Sequence, residues 1–195
     1  MNNPEKILRT LDRHLRQPVR VVLFGRAALA LGYPAPPPDF GVTQDVDAIL
    51  PVVEMARIEA DQQFWEALDL TNRELEPSGL YMTHLFTDAQ VVLTPDWLAR
   101  IVPIVGPVPF CNLSLFRPHT ADLILTKMMR NDPQDRDDIA FILGSDPLSP
   151  SELKSAFLAA RVPPVPEVQA AFLAMQTVVA GLASRGFDRS PESSE

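Results

Sequence analysis

Cysteine is the scarcest residue of the 195-residue chain, which contains only Cys111. A lone thiol excludes an intramolecular disulfide framework and a zinc site built from cysteines. No apolar run approaches the roughly 18–20 residues that cross a bilayer, and the polar N-terminus lacks the apolar stretch of a signal peptide. These absences predict a cytoplasmic protein without a membrane segment.

Positive charge is also in deficit, with 17 Lys and Arg against 25 Asp and Glu, so the formal net charge is −8. Broad, non-specific binding to nucleic acid depends on cations that neutralise phosphates, and this balance argues against it. A local basic cleft is still compatible with this balance, because the electrostatic field at a site depends on where the charges lie and not on their total. The candidates to line such a cleft are Arg57, Arg73, Arg100, Arg117 and Arg130.

Glycine is scarce, at 8 residues, whereas proline is abundant, at 20. The prolines cluster within residues 34–38, 103–109, 147–150 and 163–166. Proline interrupts helices, so we interpret these clusters as joints between elements. With 195 residues, of which 46% are hydrophobic, the chain is large and apolar enough for one domain to bury a core.

Hydrophobic periodicity predicts a mixed α/β front half packed on a helical back half. In the front half we expect helices over residues 4–16, 27–31 and 52–69, strands over 19–24 and 42–50, and a hairpin of strands 81–86 and 90–94 that turns at 87–89. Beyond residue 113 the pattern predicts a helical chain, with helices over 120–130, 135–143, 150–160 and 166–184. We therefore expect an α/β domain over 1–112, a helical region over 113–185 and a disordered tail over 186–195.

Asp45 and Asp47 carry the first functional hypothesis. Residues i and i+2 of a strand face the same side, so the two carboxylates leave one face about 7 Å apart at their Cα atoms, and Val46 points into the core. Two such charges repel and resist burial, and a divalent cation such as Mg²⁺ resolves the conflict. The alternative is a solvated strand edge on which both aspartates only maintain solubility.

A strand that runs into a glycine precedes this pair. The apolar residues 21–24 lead to Gly25, and a short helix opens with Arg26. Backbone N–H groups at a helix N-terminus bind phosphate, and glycine permits the close backbone approach of a triphosphate. A simple strand-to-helix turn explains the same glycine. Combined with the paired carboxylates, the segment is typical of metal-assisted phosphoryl or nucleotidyl transfer.

Residues 23–33 (LFGRAALALGY) and 43–50 (TQDVDAIL) resemble the opening of small polymerase-β-type nucleotidyltransferases, bacterial AbiEii-like proteins in particular. That family has an apolar strand, a Gly-Gly or Gly-Ser pair, a short helix and then Thr-x-Asp-x-Asp on the next strand. The resemblance resumes at residues 122–130 and 135–139, which are similar to the family's lysine-containing helix and Asp-x-x-Asp helix start. It implies the nucleotidyltransferase fold, a mixed α/β sheet flanked by helices.

The resemblance also implies roles for the acidic and basic residues that match the family pattern. Asp45 and Asp47 would hold Mg²⁺ or Mn²⁺ and align the α-phosphate of a nucleoside triphosphate. Lys127 would reach a phosphate, and Asp135 would complete the site from the back half. For Lys127 the alternative is a head group that extends to solvent, and for Asp135 it is a favourable charge in the first turn of a helix.

The nucleotide-binding segment matches the family with one departure. By the resemblance, Gly25 and Thr43 belong to this segment. Arg26 stands where the family has its second glycine or serine. Its side chain would either fill the phosphate cradle or bind the same phosphates directly.

The second departure from the family pattern concerns its third carboxylate. Apart from Asp45 and Asp47, no aspartate stands between apolar residues of a predicted strand. Asp88 is the best candidate for this metal ligand, and its alternative is a turn aspartate. His84 lies on the neighbouring predicted strand, and no two of the three histidines share one element at metal-ligand spacing.

We therefore expect an enzyme that transfers a nucleoside monophosphate from a nucleoside triphosphate to the hydroxyl of an acceptor, RNA or protein. The alternative is a catalytically degenerate protein of the same fold that acts as a binding or regulatory module with a partner protein, as in a toxin–antitoxin pair. Convergence of Asp45, Asp47 and Lys127 on one cleft would favour the enzyme, and a cleft filled by Arg26 would favour the degenerate protein.

Overall fold

The computed structural model describes residues 1–106 and 109–187. The chain divides into two compact units, one of residues 1–90 with 98–119, the other of residues 91–97 with the chain from Thr120 onward. The boundary expected at residue 112 therefore differs from this division, in which residues 113–119 stay with the first unit. Of the predicted tail, residues 188–195 lie outside the described residues.

A five-stranded mixed sheet forms the first unit, in the spatial order β3-β2-β1-β5-β4. The strands are β1 (Val19–Phe24), β2 (Asp45–Leu50), β3 (Tyr81–Thr87), β4 (Val102–Pro103) and β5 (Leu113–Arg117). β1 pairs antiparallel with β2 and parallel with β5. β2 pairs parallel with β3, and β4 pairs antiparallel with β5. The mixed α/β architecture predicted from the sequence is confirmed.

Eight α-helices complete the described part of the chain. The first unit has α1 (Asn3–His14), α2 (Gly25–Gly32), α3 (Met55–Ala60) and α4 (Gln62–Leu75), and the second has α5 (Thr120–Lys127), α6 (Pro133–Ser145), α7 (Pro150–Ala159) and α8 (Pro166–Phe187). The last four confirm the predicted helical back half. None of the helices over the described ranges is long and apolar enough to cross a membrane.

A buried carboxylate on α1 sets the point at which β5 begins. Asn2 caps α1 by accepting from the N–H of Glu5, and the apolar face of the helix is buried. Asp12, on the same helix, accepts hydrogen bonds of 2.7–2.9 Å from three consecutive backbone N–H groups, those of Cys111, Asn112 and Leu113. Cys111 itself is exposed.

The predicted hairpin is wrong, because the segment after β3 does not return along it. Residues 91–97 belong to the second unit, where Leu93 makes an isolated bridge with Arg161. Thr94 donates from its backbone N–H and from its hydroxyl to Asp122 Oδ1, both at 2.8 Å. The apolar run that suggested a strand is therefore a buried core segment of the second unit.

Two other boundaries differ from the sequence prediction. The chain was expected to be helical beyond residue 113, but Leu113–Arg117 is the strand beside β1. Its alternating burial has the period of two that strands show, over five residues only. The strand expected from residue 42 begins at Asp45, because Pro38–Val42 forms a 3₁₀ turn.

β3 is an edge strand, and its register with β2 contains one extra residue. Asp45 pairs with Tyr81, whereas Asp47 pairs with His84, so between these pairs one residue of β2, Val46, lies opposite two of β3, Met82 and Thr83. Asn72 of α4 holds this strand by donating to the carbonyl of Met82 at 3.0 Å and accepting from its N–H at 2.8 Å. These side-chain bonds satisfy backbone groups that an edge would otherwise leave to solvent or to another strand.

Candidate active site

Asp45 and Asp47 project from one face at the start of β2. Val46, between them, is fully buried, and both aspartates are half-buried, which is the alternation that the sequence pattern predicts. Thr43 donates a 2.7 Å hydrogen bond from its hydroxyl to Oδ1 of Asp45. This bond fixes the orientation of the first carboxylate from the turn that precedes the strand.

His84 of β3 completes a cluster with these two carboxylates. Its Nδ1 lies 3.1 Å from Oδ1 of Asp47 and 3.6 Å from Oδ2 of Asp45. The three residues each offer one ligand atom, and these atoms all lie within 4.8 Å of one another. The imidazole also stacks on Phe86, with ring centroids 6.0 Å apart and an interplanar angle of 18°.

Gly25 begins α2 directly beside Asp47. Its φ is +66°, in the left-handed region that glycine adopts most readily. A Cβ at this position would lie 2.8 Å from Oδ2 of Asp47, closer than side chains pack. Phe24 occupies the N-cap and has no side-chain oxygen that could cap the helix. The partly positive N-terminus of α2 therefore lies next to the carboxylate cluster.

The Arg26 side chain contacts the 3₁₀ turn Pro38–Val42. Its Nη1 lies 3.3 Å from Oδ2 of Asp39, and its guanidinium carbon is 5.1 Å from the centre of the Phe40 ring. Arg26 therefore connects the start of α2 to the segment that leads into Thr43 and β2.

Asp88 does not join the carboxylate cluster, contrary to the sequence-based expectation. Thr87 is in register with Leu50, so Asp88 lies beside the far end of β2, roughly 16 Å along the strand from Asp45. Its Oδ1 accepts from the N–H of Val52 at 3.0 Å, as a turn aspartate would. The parallel pairing of β2 with β3 is the reason, because it places the end of β3 at the end of β2.

Lys127 and Asp135 lie in the second unit, where they form an ion-pair network. The ammonium of Lys127 lies 2.5 Å from Oδ2 of Asp138 and 3.5 Å from Oδ1 of Asp135. Both oxygens of Asp135 also accept from Arg130, at 3.1 and 3.2 Å. The Lys127 side chain is 6% exposed, so it does not extend to solvent. These contacts connect α5 to α6 and favour a structural role for Lys127.

Comparison with known proteins identifies the family of this chain. The family described as nucleotidyltransferase of unknown function (DUF6036) matches residues 5–159, which is well over half of the chain. The chain belongs to this nucleotidyltransferase family. In this DUF6036 protein the matched range contains the Asp45–Asp47 pair, Gly25 and Lys127. Neither the curated proteins nor the solved structures give a match.

The donor set of the DUF6036 protein fits a divalent cation. Two carboxylates and one imidazole converge on a common space, and the carboxylates bring two negative charges that a cation would offset. Sequence reasoning singled out the two aspartates but did not place His84 beside them. The available signal was a histidine on the strand that follows the Asp-x-Asp strand, but its position opposite Asp47 depends on the extra residue in β3.

Proposed function

We propose that this nucleotidyltransferase transfers a nucleoside monophosphate from a nucleoside triphosphate to an acceptor hydroxyl on RNA or protein. The observation that carries the proposal is the contact between the N-terminus of α2 and the paired carboxylates, at Gly25 and Asp47. A phosphate-binding helix terminus beside a cation site is the combination that the reaction needs.

Each residue of this cluster has a defined task in the proposed reaction. Asp45 and Asp47 hold a divalent cation, Mg²⁺ or Mn²⁺, and Thr43 keeps Asp45 in its orientation. The cation, when bound, offsets the charge of the triphosphate and polarises its α-phosphoryl group. The backbone at Gly25 and the first turn of α2 bind phosphate oxygens, since a glycine leaves room for their approach.

The proposed transfer exchanges one bond to the α-phosphorus for another. The acceptor oxygen forms a new bond to the α-phosphorus, and the bond from this phosphorus to the bridging oxygen of the β-phosphate breaks. Pyrophosphate leaves with that electron pair, and the acceptor proton passes to solvent. The product is a phosphodiester-linked nucleoside monophosphate on the acceptor.

Labelled nucleotides test this reaction directly. The protein is incubated with each nucleoside triphosphate, Mg²⁺ or Mn²⁺ and total RNA or cell lysate, with the label on the α- or the γ-phosphate. We expect the α-label to enter RNA or protein and the γ-label to be released in pyrophosphate. Transfer of the γ-label would instead indicate a kinase, and transfer of neither would favour a catalytically degenerate protein.

A binding experiment tests the site independently of turnover. Cation with nucleotide should raise the melting temperature of the wild type, because a ligand that binds the folded state stabilises it by mass action. The double variant Asp45→Asn, Asp47→Asn should lose this increase while the protein without ligand stays at least as stable. The matched control is Glu66→Gln with Asp69→Asn, two exposed acids of α4 with the same charge change. An increase that survives in the site variant would place the nucleotide elsewhere.

A further inference from the structure

We propose that His84 is the third protein ligand of the cation, and that it makes the site select a first-row transition-metal dication such as Mn²⁺ over Mg²⁺. This inference rests on the proposed function, since it assigns a metal preference to the same site. It depends on three observations: the register that places His84, the distances among the donor atoms and the chemistry of imidazole.

The register of β3 is the first observation. Asp45 pairs with Tyr81, and a regular parallel ladder would then place Thr83 opposite Asp47. The extra residue in β3 places His84 there instead. Because side chains alternate along a strand, a shift of one residue exchanges which side chain shares the face of the aspartates. The irregularity therefore brings an imidazole to the carboxylates.

The donor distances are the second observation. Two ligands in adjacent positions of an octahedral cation, each about 2.1 Å from it, are about 3.0 Å apart, and the corresponding tetrahedral separation is about 3.4 Å. Nδ1 of His84 lies 3.1 Å from Asp47 Oδ1 and 3.6 Å from Asp45 Oδ2. Both distances are close to these separations, and the three ligand atoms lie within 4.8 Å of one another. The nitrogen and both carboxylates are therefore near enough to share one cation once the side chains adjust.

The chemistry of the donor is the third observation. Mg²⁺ prefers oxygen ligands and keeps most of its water, whereas first-row transition metals bind imidazole nitrogen readily. A site with two carboxylates and one imidazole retains enough oxygen character for a cation that must also take phosphate. The stacking of His84 on Phe86 holds the ring in place without using either nitrogen.

Pulsed electron paramagnetic resonance on the 195-residue protein with Mn²⁺ tests the ligand assignment. Imidazole coordination produces a ¹⁴N coupling on bound Mn²⁺, and labelling histidine with ¹⁵N changes it in a defined way. We expect this coupling in the wild type, with and without nucleotide. Its loss in His84→Asp and its retention in His14→Ala would assign it to His84. His14 is the matched control because it pairs with a carboxylate, Glu74, at 3.0 Å outside the site.

Calorimetric titration with Mn²⁺ and Mg²⁺ tests the preference. We expect the wild type to bind Mn²⁺ at least about tenfold more tightly than Mg²⁺, because the imidazole favours the transition metal. His84→Asp should bind Mg²⁺ more tightly than the wild type does and reduce the Mn²⁺ preference severalfold. Equal affinities of the wild type for the two cations would overturn the proposed selectivity.

The outcomes separate this inference from the function on which it rests. If Mn²⁺ binds in a way that needs Asp45 and Asp47 but shows no nitrogen coupling, His84 is not a ligand and the proposed function stands. If neither cation binds with or without nucleotide, both proposals fail. If the His84→Asp variant does not fold, the wild-type spectrum still tests the inference, because the absence of a nitrogen coupling in it overturns His84 as a ligand.

Discussion

A Cβ atom at position 25 would lie 2.8 Å from Oδ2 of Asp47, so Gly25 and Asp47 are in contact across the β1–β2 pair. Phe24, the last residue of β1, is in register with Asp47, and the chain then turns into α2 through a positive φ at Gly25. The same glycine thus permits the strand-to-helix turn and the approach of a carboxylate to the helix N-terminus. A side chain at position 25 would therefore disturb both the backbone turn into α2 and the position of the Asp47 carboxylate.

Gly25→Ala is expected to destabilise the protein and to remove cation-dependent stabilisation. The alanine methyl group is strained at φ +66° and displaces the Asp47 carboxylate, which together should cost about 2–4 kcal/mol of unfolding free energy. Chemical denaturation with and without Mn²⁺ and nucleotide measures both effects.

Gly79→Ala is the matched control for Gly25→Ala. Gly79 has φ +65° and a Cβ there would meet nothing within 4 Å, so this variant carries the backbone strain alone, about 1–2 kcal/mol. It should keep its response to the cation. If the two variants lose the same stability and both still respond, the contact of residue 25 with Asp47 has no consequence.

Arg26→Ser is expected to leave nucleotide affinity unchanged or to raise it. In the structure the guanidinium contacts Asp39 and Phe40, so its removal opens space at the start of α2. The stability cost should be small, about 0.5–1 kcal/mol, because Asp39 is exposed. Titration with a nucleoside triphosphate measures the affinity. A loss of about 1.5–3 kcal/mol in binding would show instead that Arg26 donates to the phosphates.

Lys127→Met is expected to destabilise the second unit strongly. The substitution leaves the buried carboxylates of Asp135 and Asp138 without the ammonium that lies between them, at a cost of about 3–5 kcal/mol. Arg73→Met is the control, since its pair with Asp69 is exposed and contributes at most about 0.5 kcal/mol. Equal melting temperatures for the two variants would contradict a structural role for Lys127.

Glu54 should contribute stability that disappears in acid. Partial burial raises the pKa of Glu54, but hydrogen bonds and charges from Arg57 and Arg20 outweigh this and lower the pKa below its ordinary value of 4.5. Because the pKa is lowered on folding, the contribution is present above pH 4.5 and is lost as the pH falls through the lowered folded value. The stability difference between wild type and Glu54→Gln should therefore shrink between pH 6 and pH 3. If the difference does not change with pH over this range, the contacts of Glu54 with Arg57 and Arg20 do not contribute to stability.

The sequence was informative wherever the pattern is local. The alternation of Asp45, Val46 and Asp47 predicts two carboxylates on one face, because successive side chains of any strand point to opposite sides. Residues 120–184 carry helical periodicity and proline-marked joints, and their four helices form as predicted. Gly25 between an apolar strand and a short helix likewise indicates the turn from local features alone.

Strand pairing between distant segments was decided only by the tertiary structure. A sequence does not state whether two strands run parallel, so Asp88 was a candidate third carboxylate until the parallel pairing of β2 with β3 placed it beside the far end of β2. The register is equally non-local, since one extra residue in β3 places His84 rather than Thr83 opposite Asp47. Packing of the whole sheet selects that register, because a slip of one residue would exchange the faces of β3. The aspartates of the site were therefore fixed by local periodicity, and its histidine by the fold.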